Sequence, residues 1–365
     1  MTDHPVDVST THDAVPAPGP GHPTGPHPTT DDLVQAPRSD HPTTDDPVAA
    51  LRSDRPVDLS ILIVTHRHPA MVRDCLASVY RETRGVAFEV LVLDSASGDG
   101  TAEMIAAEFP QVRLLAREDN VGFARGNNLL AREARGRHLL LLNPDTVVLN
   151  GALQRLHHFA DEHPAAGLYG ARTVTPDGDL DPTSCFGPTT VRSLALFASG
   201  LSTAFPGHGR LNPEGIGGWR RDTVREVGWL TGCVLLLPRA LWDRLDGFDL
   251  RFWMYGEDQD LCLRARALGA RPLHVPHATV VHLGGASSSS SGDKLVLIHR
   301  AKATVLRRHH PPLAARAGLA LLHVGVALRA AGARVAAALG RPHATAWTQV
   351  WRDRATWRAG YGPGA

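Results

Sequence analysis

FEVLVLDSASGDGTAEMIAAEF, from Phe88 to Phe109, is the stretch on which the fold turns. A short apolar run ends on an acid, passes through a glycine-rich turn and continues as a helix that Asp99 or Thr101 can cap. Strand, tight turn and helix in that order make one unit of a parallel α/β sheet. Similar units lie on both sides. Upstream, LSILIVTH (Leu59 to His66) suits a buried parallel strand, and Met71, Val72, Cys75, Leu76 and Val79 follow at helix spacing. Downstream, VRLLAR is a third strand, Gly122 to about Ala134 a helix, and RHLLLLNPD (Arg137 to Asp145) a fourth strand. The expected fold class is therefore α/β, with a Rossmann-like, mostly parallel central sheet flanked by helices. Such sheets collect ligands at the carboxyl ends of their strands, where Asp94 and Asp145 both fall.

The pattern loosens after Gly151. A helix to Glu162, a strand near Leu168 and an irregular polar region through Pro188 lead to SLALFASGL and a glycine-rich loop, Gly207 to Gly218. Order resumes with WLTGCVLLLP (Trp229 to Pro238) and a short helix, RALWDRL. A helix from Glu257 to Leu268 follows, with Leu261, Leu263 and Leu268 among its apolar positions. RPLHVP and TVVHLGG read as short extended segments, and from Asp293 the chain is helical and rich in Ala, Leu and Arg. Residues 1 to about 55 are another material: HPTTDDLVQAPRSD is followed at once by HPTTDDPVAALRSD, with few apolar side chains. Such a tail cannot bury enough area to offset its chain entropy, so disorder is expected. The division is a tail (1–56), a catalytic domain (57–292, with halves meeting at 150) and a C-terminal helical region (293–365).

Formal net charge is +1, so no overall field points to nucleic acid. Four scattered cysteines without a CxxC pair suit reduced thiols in a cytoplasmic protein, not a disulfide framework or a zinc site. The chain shows no basic start followed by an apolar run, and no uninterrupted apolar run of about 18 residues, so neither a secretory signal nor a membrane span is expected. AGLALLHVGVALRAAGARVAAALGRP, broken by His323, Arg329 and Arg334, leaves three readings open. It could lie in a membrane interface at the inner face of the cell membrane, pack on the catalytic domain, or pack on another subunit.

Several residues can carry chemistry. Asp94 could hold a nucleobase or ribose, or simply cap its turn. Asp145 could ligate Mg²⁺ or Mn²⁺, hard cations that take carboxylates and substrate phosphates, or sit in a plain Asn-Pro-Asp turn. FWMYGEDQDLCLR is the densest cluster: Glu257, Asp258 and Asp260 start a helix whose dipole tolerates them. Trp253 and Tyr255 before them could flank a sugar, and apolar walls raise a carboxylate's proton affinity as a general base requires. His282, between an apolar segment and Gly284-Gly285, could add a nitrogen ligand, and Ser287 to Ser291 reads as either a mobile loop over a phosphate or a linker. NVGFARGNN (Asn120 to Asn128) opens a helix but lacks GxGxxG, and no GxxxxGK[ST] loop occurs.

Taken in order, ILIVTH, EVLVLDSASGDGT, NVGFARGNN, LLLLNPDT, GWLTGCVLLLP through FWMYGEDQDLCLRARALG, and VVHLGGAS resemble glycosyltransferase family 2, in particular its rhamnosyltransferase-like branch. The resemblance runs from about Leu59 to His310. It implies a GT-A fold and transfer of a sugar, with rhamnose from dTDP-rhamnose favoured. The donor would be a nucleotide-diphosphate sugar and the acceptor a polysaccharide or polyprenyl-linked glycan. It further implies that Thr65 and Asp94 contact the nucleoside, with Asn120 and Asn143 also on the donor side. Asp145 and His282 would hold Mg²⁺ or Mn²⁺, Asp258 beside Glu257 would be the base, and Trp229 and Gly232 would lie near donor sugar and acceptor. Trp253 and Tyr255 are assigned to the acceptor. The family's Thr-Tyr-Asn is here Thr65-His66-Arg67, its Asp-Asn turn is Asp94-Ser95, and its metal motif keeps one acid, in Asn143-Pro144-Asp145. A catalytically silent binding protein of the same fold and a sugar-phosphate nucleotidyltransferase are the rival readings. The second would need a glycine-rich loop after the first strand, and THRHPAM has no glycine.

Overall fold

Alternation along the central strands builds two cores at once. β1 (Leu59–Thr65), β2 (Phe88–Ser95), β3 (Arg113–Arg117) and β4 (His138–Leu142) lie in the order β3-β2-β1-β4, all parallel, with Thr65 opposite Asp94 at the rim. Ile61, Ile63, Val90, Val92, Leu140 and Leu142 point to one face, against α1 (Pro69–Glu82) and α2 (Thr101–Glu108). Leu62, Leu91, Leu93, Leu139 and Leu141 point to the other, against α3 (Gly122–Glu133). A strand with apolar side chains on both faces has to be covered on both, which is why these runs carry no polar alternation.

The computed structural model describes residues 56–284, 291–340 and 345–362. The repeat tail lies outside them, as does the serine run except for Ser291.

The chain continues through β5 (Thr146–Val148), α4 (Ala152–Glu162), β6 (Tyr169–Val174), β7 (Leu180–Asp181), β8 (Cys185–Phe186), α5 (Val191–Ala198) and α6 (Leu201–Ala204). It then forms β9 (Arg225–Glu226), β10 (Trp229–Leu230), β11 (Val234–Pro238), α7 (Arg239–Leu245), α8 (Glu257–Ala267) and β12 (Leu273–His282). The sheet extends from β4 through β11, β6 and β12 to β5. β11 is antiparallel to both neighbours, and β12 runs parallel to β6 and antiparallel to β5. One mostly parallel sheet thus joins both halves, the GT-A arrangement.

Several boundaries differ from expectation for local reasons. β4 stops at Leu142, not Asp145, because Pro144 has no N–H to give a ladder, so Asn143-Pro144-Asp145 turns into β5. RPLHVP and TVVHLGG are one strand, β12, with its register broken between Val275 and Thr279 around Pro276. WLTGCVLLLP splits at Thr231–Cys233 into β10 and β11. Leu268 is exposed, and the buried face of α8 runs instead through Leu261, Cys262 and Ala265. Gly100, not Asp99 or Thr101, is the residue that caps α2, although the Asp99 carboxylate accepts the Thr101 N–H at 3.2 Å.

The C-terminal region forms α9 (Ser291–His309), α10 (Pro312–Ala338), α11 (Thr345–Arg352) and α12 (Arg354–Ala359). Leu194 of α5, Leu306, Leu322, Val326, Val350 and Trp357 share one core. A Cβ at Gly325 would lie 2.5 Å from the Phe197 ring, so only glycine lets α10 approach α5 this closely. Contrary to the expectation from uninterrupted runs, α10 is long and apolar enough to cross a membrane by length and composition.

Three buried histidines make stability pH-dependent. Burial lowers His138, His274 and His299 to about 4 each. The unfolded chain takes up those protons near 6.5 and the folded chain only near 4, so this contribution is complete above about pH 6.5 and is lost as pH falls towards 4. Each site should cost on the order of 1 kcal/mol per pH unit across that window. A urea midpoint unchanged between pH 7 and about pH 5 would contradict this.

Candidate active site

The donor side is a set of loops tied to one another at the carboxyl ends of β1 and β2. Arg67 and His68 are left-handed, with φ of 68° and 66°, which points their N–H groups at the next loop. Arg67 N–H donates to Ser97 Oγ at 2.6 Å and His68 N–H to Asp99 Oδ2 at 2.9 Å, while His66 Nδ1 lies 2.7 Å from Ser95 O. The His-Arg replacement after Thr65 is therefore absorbed by the second loop. Thr65 and Asp94 are buried side by side, and Ser97 Oγ donates to Asp94. Asn120 Oδ1 accepts from Ser95 Oγ (3.1 Å) and from Gly122 N–H (3.0 Å), so the Asp94-Ser95 turn positions Asn120. Gly122, at φ 72°, is met by Trp253: a Cβ there would lie 2.7 Å from Trp253 O. A cavity of about 170 Å³ opens here, lined by Asn120, Val121, Arg125, Phe252 and Trp253 among others, but not by Asp145 or Asp258. Trp253, assigned to the acceptor, thus sits on the loop of Asn120.

Asp145 and His282 meet because β12 pairs with β5: His282 is in register with Thr146, and Leu283 N–H donates to Asp145 O at 2.9 Å. His282 Nε2 lies 3.6 Å from Asp145 Oδ2, and His282 Nδ1 lies 2.8 Å from Asp181 Oδ2. Burial disfavours the imidazolium, but Asp181, Cys233 and Asp145 outweigh it and raise His282 to about 11. Among the described residues, Asp145 Oδ1 is buried without a hydrogen-bond partner. An orphaned carboxylate oxygen beside an imidazole is a fitting donor set for a divalent cation.

The acids of Glu257-Asp258-Gln259-Asp260 go three ways. Tyr255 at φ 65° and Gly256 at φ 89° aim the start of α8 at the site. Asp258 Oδ2 accepts Gly232 N–H at 3.2 Å and Oδ1 accepts Gln259 N–H at 2.7 Å, yet burial pushes its carboxyl up to about 6. Glu257 is buried, its Oε2 has no partner among the described residues, and burial followed by the Asp258 charge holds it well above the carboxylate range. Asp260 is fully buried but bound by Arg264, Arg308 and His309, which makes it structural.

These parts surround one turn. Gly232 binds Asp258, and the adjacent Cys233 carbonyl accepts Asn143 N–H at 2.9 Å, two residues before Asp145. Burial raises the Tyr255 hydroxyl, and the charges of Glu257, Asp145 and Asp258 push it further. Phe123 fills the space over Gly232. Trp229 stacks on Phe186 at 4.5 Å, and its Nε1–H is buried with no partner among the described residues. Asp145, Asp258, Gly232, His282 and Tyr255 thus come together, with Thr65, Asp94, Asn120 and Trp253 on the neighbouring loops.

Sequence reading missed Asp181, whose Asp-Pro-Thr-Ser setting signals only a turn; packing on the catalytic domain was one of the readings left open for the C-terminal segment. Tyr361 OH donates to Met254 O at 2.6 Å, and Phe252 packs with Ala301, Val305 and Tyr361, so α9 and the chain end hold the loop before α8.

The family model for glycosyl transferase family 2 matches residues 60–197. An N-acetylglucosaminyl-diphospho-decaprenol L-rhamnosyltransferase of Mycobacterium tuberculosis is 30% identical over 239 residues, 61% of this chain and 75% of that protein. Rhamnosyltransferase WbbL of Escherichia coli is 41% identical over 182 residues, 44% and 60% of the two chains. A solved mannosyltransferase, PcManGT from Pyrobaculum calidifontis, aligns with 18% identity and a TM-score of 0.49 over 84% of this chain and 85% of that one. The chain belongs to glycosyl transferase family 2 and is a glycosyltransferase. Within the family it is rhamnosyltransferase-like.

Proposed function

We propose that this enzyme transfers rhamnose, with inversion, from dTDP-rhamnose to a hydroxyl of a polyprenyl-linked or polysaccharide glycan in the cytoplasm. The observation that carries the reading is Asp258, a carboxylate of raised proton affinity held by Gly232 N–H and sharing the Thr231–Cys233 turn with Asp145 and His282. Thr65, Asp94, Asn120 and Asn143 bind and orient the nucleotide, and Trp229 and Trp253 offer apolar faces beside the donor. Tyr255 lines the acceptor side, next to the base. Asp258 takes the acceptor O–H proton as that oxygen bonds to the anomeric carbon and the bond from that carbon to the diphosphate oxygen breaks. Attack from the face opposite the leaving group inverts the centre without a covalent intermediate. Mg²⁺ or Mn²⁺, which Asp145 and His282 would hold, would supply charge neutralisation for the departing diphosphate. The named relatives, a decaprenol-linked rhamnosyltransferase and a rhamnosyltransferase, support the choice of sugar and acceptor. The four unpaired, buried cysteines agree with a reducing compartment.

A thermal-shift panel of nucleotide sugars, each with and without Mn²⁺, tests the donor, because a ligand of the folded state raises the midpoint with its occupancy. dTDP-rhamnose should give the largest shift and should need the metal. A larger shift with UDP- or GDP-sugars would overturn the choice of donor.

A further inference from the structure

We propose that the outer stripe of α10 seats the enzyme on an anionic lipid bilayer, with the helix lying in the interface and not crossing it. Leu313, Ala317, Ala320, Val324, Leu328, Ala331, Val335 and Ala338 are all exposed and recur at steps of three or four, so they share one face of the helix, with exposed Leu339 following at its C-cap. The large ones are bare: Leu313 is 78% exposed, Leu328 57%, Val335 61% and Leu339 73%. With 27 residues the helix makes this apolar strip about 40 Å long, well beyond scattered surface leucines.

Charge selects the occupant. α10 contains no Asp or Glu, while Arg316 and Arg334, eighteen residues and five turns apart, stand exposed on the same shoulder of the strip. From residue 291 onward the chain carries twelve Lys and Arg against two acids. An apolar strip with a basic shoulder matches acyl chains below and anionic headgroups alongside. A second copy would set arginine shoulders together with no acid on either helix to pair them. Crossing the bilayer is barred by the inner face, where Arg329 donates to Phe197 O at 2.9 Å and to Thr203 Oγ1 at 2.6 Å, and where Leu322 and Val326 sit in a protein core. The inference stands on these residues and does not depend on the sugar or acceptor assigned above.

Co-sedimentation of the full chain with vesicles tests it, using phosphatidylcholine alone and phosphatidylcholine mixed with phosphatidylglycerol. The protein should pellet with the anionic vesicles, more weakly with the zwitterionic ones, and less as salt rises. Leu328→Gln with Val335→Gln should weaken binding roughly tenfold or more through lost apolar insertion. Arg316→Gln with Arg334→Gln should erase most of the preference for phosphatidylglycerol. Both positions are exposed, so thermal midpoints and transfer to a short soluble acceptor should not change. Wild-type protein that stays in the supernatant, or an apolar double variant that pellets as well as wild type, overturns the proposal and leaves the transfer reading untouched. A dimer in sedimentation velocity that the apolar variant converts to monomer would assign the stripe to a second copy instead.

Discussion

Asp258→Asn is expected to lower kcat by roughly a thousandfold or more, the usual scale for removing a general base, while the donor still binds. The amide is the same size as the carboxylate and can keep one of the two backbone hydrogen bonds that Asp258 accepts from Gly232 and Gln259. Folding should therefore survive, and an unchanged thermal midpoint with nucleotide sugar would show that it does. Burial places the Asp258 carboxyl at about 6, and a base must be deprotonated to act, so the wild-type rate should fall as pH drops through that value. Glu257→Gln is the internal control. Burial and the Asp258 charge favour the neutral form of Glu257, and its Oε2 has no partner among the described residues, so a neutral amide there should cost far less. Full activity in Asp258→Asn, or equal losses in both variants, would remove Asp258 from the role of base.

Asp145→Ala is the second large effect: transfer should fall by roughly a thousandfold, consistent with the several kcal/mol a metal contributes to a leaving diphosphate. EDTA should abolish wild-type activity and Mn²⁺ or Mg²⁺ restore it, while the variant should respond to neither. The state of His282 adds a finer expectation. Its imidazole is held protonated between Asp145 and Asp181, so a cation must displace that proton, and apparent Mn²⁺ affinity should climb as pH rises. Asp181→Asn, which loosens the orientation of the imidazole, should weaken metal affinity by about 10- to 100-fold. A wild-type rate indifferent to EDTA, with Asp145→Ala equally active, would show that the pair serves only the fold.

How far the site could be read in advance depended on whether its parts were local. Asp94 and Asp145 were legible because apolar runs ending on an acid put that acid at the ligand-binding rim. The Glu257-Asp258 pair was legible because aromatic residues precede acids at a helix start. Asp260, two residues on, looks the same in sequence but is spent on Arg264, Arg308 and His309. Its i,i+4 pair with Arg264 and its contacts with Arg308 and His309 of α9 distinguish it from Asp258.

What the sequence by itself determined is the order of elements and the positions of the strand ends. Side-chain periodicity is set by neighbours along the chain, and the two-faced strands leave one kind of sheet that can cover them. The tertiary structure alone decided which acids are buried together and which partners they have. Asp181 reaches His282 across 101 positions, the Gly232-Cys233 turn links Asp258 to Asn143, and the Tyr361 hydroxyl holds the backbone beside Tyr255. Proton affinity and ligand capacity depend on burial and on charges a few ångströms away, and folding brings those charges together from segments with no local relation to one another.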